Sequence, residues 1–142
     1  MSDLYTQTIT KAGRVAIIRS AFINATQPLR FGYMGIGTGT QDFTADSPGL
    51  TSECSDPPHT GYARVLTSNT IDEDTCMITM EGIFGTNNIS VGGAGVDITE
   101  VGIVNSPDLG QGTWLSLAEI PPMPKNSQVQ LRYVVNIIFG AE

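Results

Sequence analysis

The stretch Gln128–Phe139, QVQLRYVVNIIF, decides how the rest of the chain reads. Val129, Leu131, Tyr133, Val135, Ile137 and Phe139 alternate with Gln130, Arg132, Val134, Asn136 and Ile138. That period of two is the spacing of a strand with one buried face, and β-branched and aromatic residues fill the buried side. At roughly 3.3 Å per residue the run spans about 40 Å, enough to cross a small domain. Polar alternation ends at Asn136, beyond which both faces are apolar. A strand dry on both faces belongs inside a sandwich or under a neighbouring subunit.

Working back from this strand, five earlier segments read as its partners. Phe31–Ile36 is a strand in which Gly32 and Gly35 replace side chains, a sign of a bulge or a close backbone approach. Tyr62–Thr67 is a short strand, and Asn69–Asp74 is expected to turn the chain. Thr75–Phe84 alternates Cys76, Ile78, Met80 and Phe84 against Met77, Thr79, Glu81 and Ile83. Ile98–Val104 and Thr113–Ile120 complete the set, with Pro121, Pro122 and Pro124 expected to hold an extended connection because proline lacks the ladder's amide. The segment 38–60 is long, polar and broken by Ser47-Pro48-Gly49 and Asp56-Pro57-Pro58, so it reads as an excursion able to reach a neighbouring subunit.

One helix is expected, over about 11–22. Thr10 can cap it, Val15, Ile18 and Phe22 form its apolar stripe beside Ile17 and Ala21, and Arg14 and Arg19 should face solvent. Asn24–Pro28 should end it. One early helix and about six strands with turns between them predict a mainly β chain, an antiparallel, jelly-roll-like β-sandwich occupying 1–142 as a single domain.

Bulk properties narrow the function classes. The 142 residues carry 16 Gly and 8 Pro with 15% charged residues, a turn-rich composition. Net charge is −7, and the seven basic residues are scattered, which argues against nucleic acid as a partner. No apolar run has the length of a membrane span, and MSDLYTQTIT lacks the apolar region of a secretion signal, so folding in a cytoplasm is expected. In a reducing compartment Cys54 and Cys76 should be independent thiols.

The candidate chemistry is sparse. Gly35-Ile36-Gly37-Thr38-Gly39 and Gly92-Gly93-Ala94-Gly95 resemble phosphate loops, but no helix pattern follows either, so a backbone-shape role is expected. His59 is the only histidine, set in a polar loop without a nucleophile motif around it. Asp72-Glu73-Asp74 lacks the spacing of a calcium loop and reads as a solvated acidic turn. No catalytic residue, metal site or cofactor is expected. Glu100 stands out inside an apolar strand. It either lies on an exposed face or pairs with Lys125 or Arg132, within the chain or between subunits.

The order of segments resembles a known family. Thr10-Lys11-Ala12-Gly13 opens the helix and Tyr33 to Gly39 (YMGIGTG) follows. Leu50, Glu53 and Arg64 come next, then Ile98 to Asn105 (ITEVGIVN) and Pro124-Lys125-Asn126. This pattern is similar to the small β-sandwich virion proteins of tailed bacteriophages, including the N-terminal domain of tail-collar fibre proteins, and covers nearly the whole chain. The resemblance implies a non-enzymatic structural protein of the virion, assembled in the host cytoplasm and oligomeric; separately, a trimer is the oligomer expected here. Because no fibre shaft or receptor-binding tip follows, it favours a subunit that decorates or cements the capsid. A tail component, in baseplate, collar or fibre adaptor, is the alternative. A carbohydrate-binding or hydrolytic sandwich, with Trp114 and Tyr62 stacking on sugar, is the more distant one.

Overall fold

A computed structural model of the chain describes residues 7–23 and 30–139. The fold is mainly β, with two antiparallel sheets packed as a sandwich and one short helix near the N-terminus. In chain order the elements are β1 (Gln7–Ile9), α1 (Lys11–Phe22), β2 (Tyr33–Gly37), β3 (Val65–Leu66), β4 (Ser68–Asp72), β5 (Met77–Phe84), β6 (Val96–Val104), β7 (Trp114–Lys125) and β8 (Leu131–Ile138). The larger sheet has the order β1-β7-β6-β2-β3 and the smaller β4-β5-β8. Between them lies one apolar core, to which Met34, Ile36, Val101, Ile103 and Leu115 contribute from the larger sheet and Met80, Phe84, Leu131 and Ile137 from the smaller.

The alternation of the last strand is real. Leu131 and Ile137 are buried and Tyr133 and Val135 half-buried, while Arg132, Val134, Asn136 and Ile138 face outward. Of its two expected placements, the interior of the sandwich is not the one observed. β8 is an edge strand hydrogen-bonded only to β5, and Val134, Ile138 and Phe139 lie exposed. The strand dry on both faces is β6, where every residue from Glu100 to Val104 is buried. Gly102 and Glu100 hide that fact from an apolar pattern.

Three further expectations change. Of the turn expected over Asn69–Asp74, only Glu73 and Asp74 turn the chain; Asn69–Asp72 belong to a strand, paired from Ser68↔Glu81 to Asp72↔Met77. All five of its residues are exposed, so it follows backbone pairing and carries no period-two signal. The prolines do not leave the ladder either. β6 advances two residues from Ile98 to Glu100 while β7 advances four, from Met123 back to Glu119, and Pro121-Pro122 sits in that bulge. A bulge is where a sheet tolerates proline, because no ladder amide is needed there.

The helix is inverted relative to expectation. Thr10 caps it as predicted, its hydroxyl accepting from Gly13 N at 2.9 Å. The buried side is Gly13, with Ala16, Ile17 and Ser20 half-buried around it. Val15, Ile18 and Phe22 are exposed. Gly13 decides this: a Cβ there would stand 2.7 Å from Leu115 Cα, so only a glycine lets the helix backbone come this close to β7. Leu115 is itself the extra residue of a second bulge, between Ile103↔Ser116 and Val104↔Trp114. Its carbonyl accepts from Thr10 N at 2.9 Å, and the Trp114 carbonyl accepts from the Thr10 hydroxyl. The Asn24–Pro28 stop lies outside the described residues.

Candidate functional site

The outer face of the larger sheet, away from the sandwich core, holds most of the buried polar chemistry. Tyr33, Gly35 and Gly37 of β2, Glu100, Gly102 and Val104 of β6, and Trp114 and Leu117 of β7 line it by register. A second, smaller apolar cluster forms there from Val104, Trp114 and Leu117, with Tyr33, Phe43 and Leu50 packed against it. Phe43 and Leu50 come from the 38–60 segment. That segment therefore folds back over its own sheet and does not stand out as a free arm.

Two buried polar arrangements lock it down. The first is Glu100, fully buried. Its carboxylate accepts from Thr51 N at 3.0 Å and Ser52 N at 2.8 Å. Register places Gly37 opposite Glu100; a Cβ on Gly37 would overlap its Oε2, and one on Gly39 would lie 2.7 Å from its Oε1. The glycines of GIGTG thus clear space for a carboxylate and carry no phosphate cradle. Nearby, Thr38 N donates to Ser52 O at 2.9 Å, Cys54 N to Ile36 O at 3.0 Å and the Thr99 hydroxyl to Gly39 O at 2.6 Å.

The second centres on Arg64, whose side chain is 1% exposed. Its Nε and Nη2 each donate to Glu53 at 2.9 Å, a bidentate pair, and Nη1 donates to the carbonyls of Ser106, Asp108 and Gln111 at 2.6–2.9 Å. The guanidinium carbon lies 4.9 Å from the Trp114 ring centroid, a cation–π contact. Tyr62 completes the group: its hydroxyl donates to Glu53 at 2.6 Å and accepts from Ile36 N at 3.2 Å. One arginine thereby ties three separate pieces together, the 38–60 segment, the 105–112 turn and β7. Planar donors in a fixed fork suit this role better than a lysine's point charge.

These groups are shaped for holding. Burial pushes the Tyr62 phenol up, helped by the charge of Glu53. The Cys54 thiol is likewise pushed up to about 12 by burial and by Glu53 and Glu100, which keeps it in the unreactive protonated form. Glu119, opposite Glu100 across the β6–β7 ladder, has its carboxyl raised by burial, by a hydrogen bond with Asp42 and by the charges of Asp42 and Glu100.

The three residues expected as an ion-pair group do not come together. Glu100 takes backbone amides. Arg132 pairs with Glu81 on the outer face of the smaller sheet. Lys125 is fully buried, donates to the Asn126 carbonyl at 2.8 Å, and has its ammonium pKa lowered by burial. Glu100 is neither solvated nor open to a neighbouring subunit, because two backbone amides of the folded-back segment already cover it. Trp114 and Tyr62 are both buried, so neither offers a ring face to a sugar. The Nδ1 of His59 accepts from Ser55 N at 3.2 Å. Cys54 and Cys76 are free thiols, one buried and one exposed. Among the described residues no three His, Cys, Asp or Glu side chains are grouped to hold a metal ion, and no helix is long and apolar enough to cross a membrane.

The Arg64–Glu53–Tyr62–Trp114 hub was not legible beforehand, although Glu53 and Arg64 stood in the family-like pattern. Ten residues of proline-broken chain lie between the two, and no periodicity connects them. Compared with known proteins, the chain matches no protein-family model, no curated protein and no solved structure.

Proposed function

We propose that the chain is a non-enzymatic structural protein of a bacteriophage virion, whose work is to present contact surface to neighbouring virion proteins. One observation carries this reading. The polar side chains with chemical potential, Glu100, Arg64, Glu53 and Tyr62, are spent on internal hydrogen bonds, while large apolar side chains are left at the surface. Val15, Ile18, Phe22, Ile71, Val134, Ile138 and Phe139 are all exposed. Uncovered apolar side chains mark interaction sites, and here they fall in separate groups, on α1 and on the smaller sheet. The sequence resemblance supplies the virion, and the residues that carry it (Gly37, Gly39, Glu53, Arg64 and Glu100) are those that build the lock described above.

Decoration of the capsid is the first placement. A tail adaptor is the second, favoured by the similarity of Ile98 to Asn105 to the collar-fibre domain. The test is immunogold labelling of purified particles from the host that carries this gene, using an antibody against the chain. Label over the shell supports decoration and label at the tail supports the adaptor. Particles free of the chain overturn the virion reading.

A further inference from the structure

Resting on the reading of the chain as an assembly subunit, we infer that its partner includes a second copy of itself. The acidic tip of the β4–β5 hairpin of one copy docks on the exposed face of α1 of the next. The argument starts with charge. The chain is acidic, at −7, yet α1 contains no acid and three cations, Lys11, Arg14 and Arg19. All three are exposed, and neither of the two ion pairs among the described residues involves them. The other basic side chains at the core or on the sheets are committed: Arg64 to Glu53, Arg132 to Glu81, Lys125 to a backbone carbonyl. Of the four exposed cations in neither ion pair, three therefore lie on one helix, Arg14 with its Nε also donating to Thr10 O at 3.4 Å, and Arg30 is the fourth.

That helix also presents its apolar stripe outward. At about 100° per residue, Lys11, Val15, Ile18 and Phe22 fall on one face, with Arg14 and Arg19 flanking it. Ile18 is 53% and Phe22 81% exposed. Beside the helix runs an open groove of about 730 Å³, lined by Lys11, Val15 and Arg19 on one side and by Ala45, Asp46 and Pro48 on the other. A basic, apolar, concave surface on an acidic protein calls for an acidic, apolar, convex partner.

The same chain carries such a partner. The tip of the β4–β5 hairpin places Asp72, Glu73 and Asp74 together, all exposed, next to Ile71, itself 71% exposed. The end of β8 lies alongside: Ile138 pairs with Met77 and Phe139 N donates to Cys76 O at 2.9 Å, and both side chains are exposed. By register Asp72 and Ile138 share the outer face of the smaller sheet with Met77, while Ile71 lies on the opposite face with Ile78 and Ile137, so the outer side of the tip offers its carboxylates and Ile138 to the three cations and the apolar stripe of the helix. Complementary charge sets encounter and register, and the apolar contacts hold the pair. Because the two surfaces differ, the contact is heterologous, and copies join head to tail into a ring if the rotation closes or a filament if it does not.

The experiment is sedimentation velocity of the full chain across a concentration series at 50 and 500 mM NaCl. Self-association weakened at least tenfold by the higher salt is expected. Arg14→Glu with Arg19→Glu, and separately Glu73→Lys with Asp74→Lys, should each weaken association tenfold or more. Asp72 is spared because it accepts from Asp74 N and Thr75 N within the turn. Mixing the two variants should restore association, since each then offers the charge the other has lost. Ile18→Ser with Phe22→Ser alters only exposed side chains, so it should weaken association without moving the melting temperature. A wild-type chain that stays monomeric, variants that associate like wild type, or a mixture that fails to recover would each overturn the inference. Incorporation into virions by a monomeric chain would defeat this contact and leave the virion reading intact. Self-association by a chain absent from particles would do the reverse.

Discussion

Removing the Glu100 carboxylate should be among the most damaging single changes in the chain. In Glu100→Ala the amides of Thr51 and Ser52, on two exposed residues, lose their acceptor through part-buried bonds. Each such donor costs toward the low end of about 1–3 kcal/mol, and the volume vacated by the fully buried side chain adds a cavity cost, so a loss of about 2–4 kcal/mol is expected. That is a large fraction of the roughly 5–15 kcal/mol that holds a small domain folded. Glu100→Gln keeps one acceptor oxygen but turns an NH2 toward a backbone N–H, and should lose about 2–3 kcal/mol on the same reasoning. Urea unfolding followed by the fluorescence of Trp114, the only tryptophan, reads both values. The neighbouring glycine provides an internal check. Gly37→Ala brings a Cβ against Glu100 Oε2 and to 2.5 Å from Ser52 O, so its cost should shrink in the Glu100→Ala background, with a coupling of about 0.5–3 kcal/mol. A Glu100→Ala midpoint corresponding to less than about 1 kcal/mol would show that the amides find other partners, and would refute the account of why this strand carries a glutamate.

Arg64→Ala should cost about 3 kcal/mol, because it strands the half-buried Glu53 carboxylate and three carbonyls, and should red-shift the emission of the uncovered Trp114; an unchanged spectrum would contradict the stacking. Arg64→Lys should recover less than half of that loss. In thiol titration at pH 8, one cysteine per native chain should react, the exposed Cys76, with Cys54 appearing only on unfolding; two fast thiols would contradict the burial of Cys54. Glu119 gives a pH signature. Its folded-state pKa is raised, so between the ordinary glutamate value of about 4.3 and that raised value the folded chain holds more proton than the unfolded one. Its contribution to stability is full below that window and is lost as pH rises through it. Glu119→Gln should therefore gain on wild type as pH rises from about 4 to 7, measured by melting temperature, and a constant difference would count against the shift.

Much of the molecule was legible from residue order. Period-two alternation found β5 and β8 and the inward side chains of the last strand, because an alternating pattern has only one way to bury its apolar half, while β6 and β7 were read as strands between turn signals. The Thr10 cap and the helix extent were legible for a similar reason: the capping hydroxyl acts within one turn. The helix face was not. Val15, Ile18 and Phe22 outscore Gly13, Ala16, Ile17 and Ser20 on hydrophobicity alone, and only the approach of Leu115 shows that the small face docks.

What residue order determined, then, is what local chemistry can decide: the β class, the cap, the strand alternation and the close backbone approach at the glycines of β2. Tertiary structure alone decided which strand lies at the edge and which at the centre, and that the 38–60 segment closes on its own sheet. It also decided that Glu100 meets backbone amides instead of Lys125 or Arg132. Those outcomes hinge on groups far apart in the chain, such as Thr51 with Glu100 and Arg64 with the carbonyls of 106–111. A buried charge takes whichever donors the fold brings within about 3 Å, and nothing in the spacing of one residue from another announces which those will be.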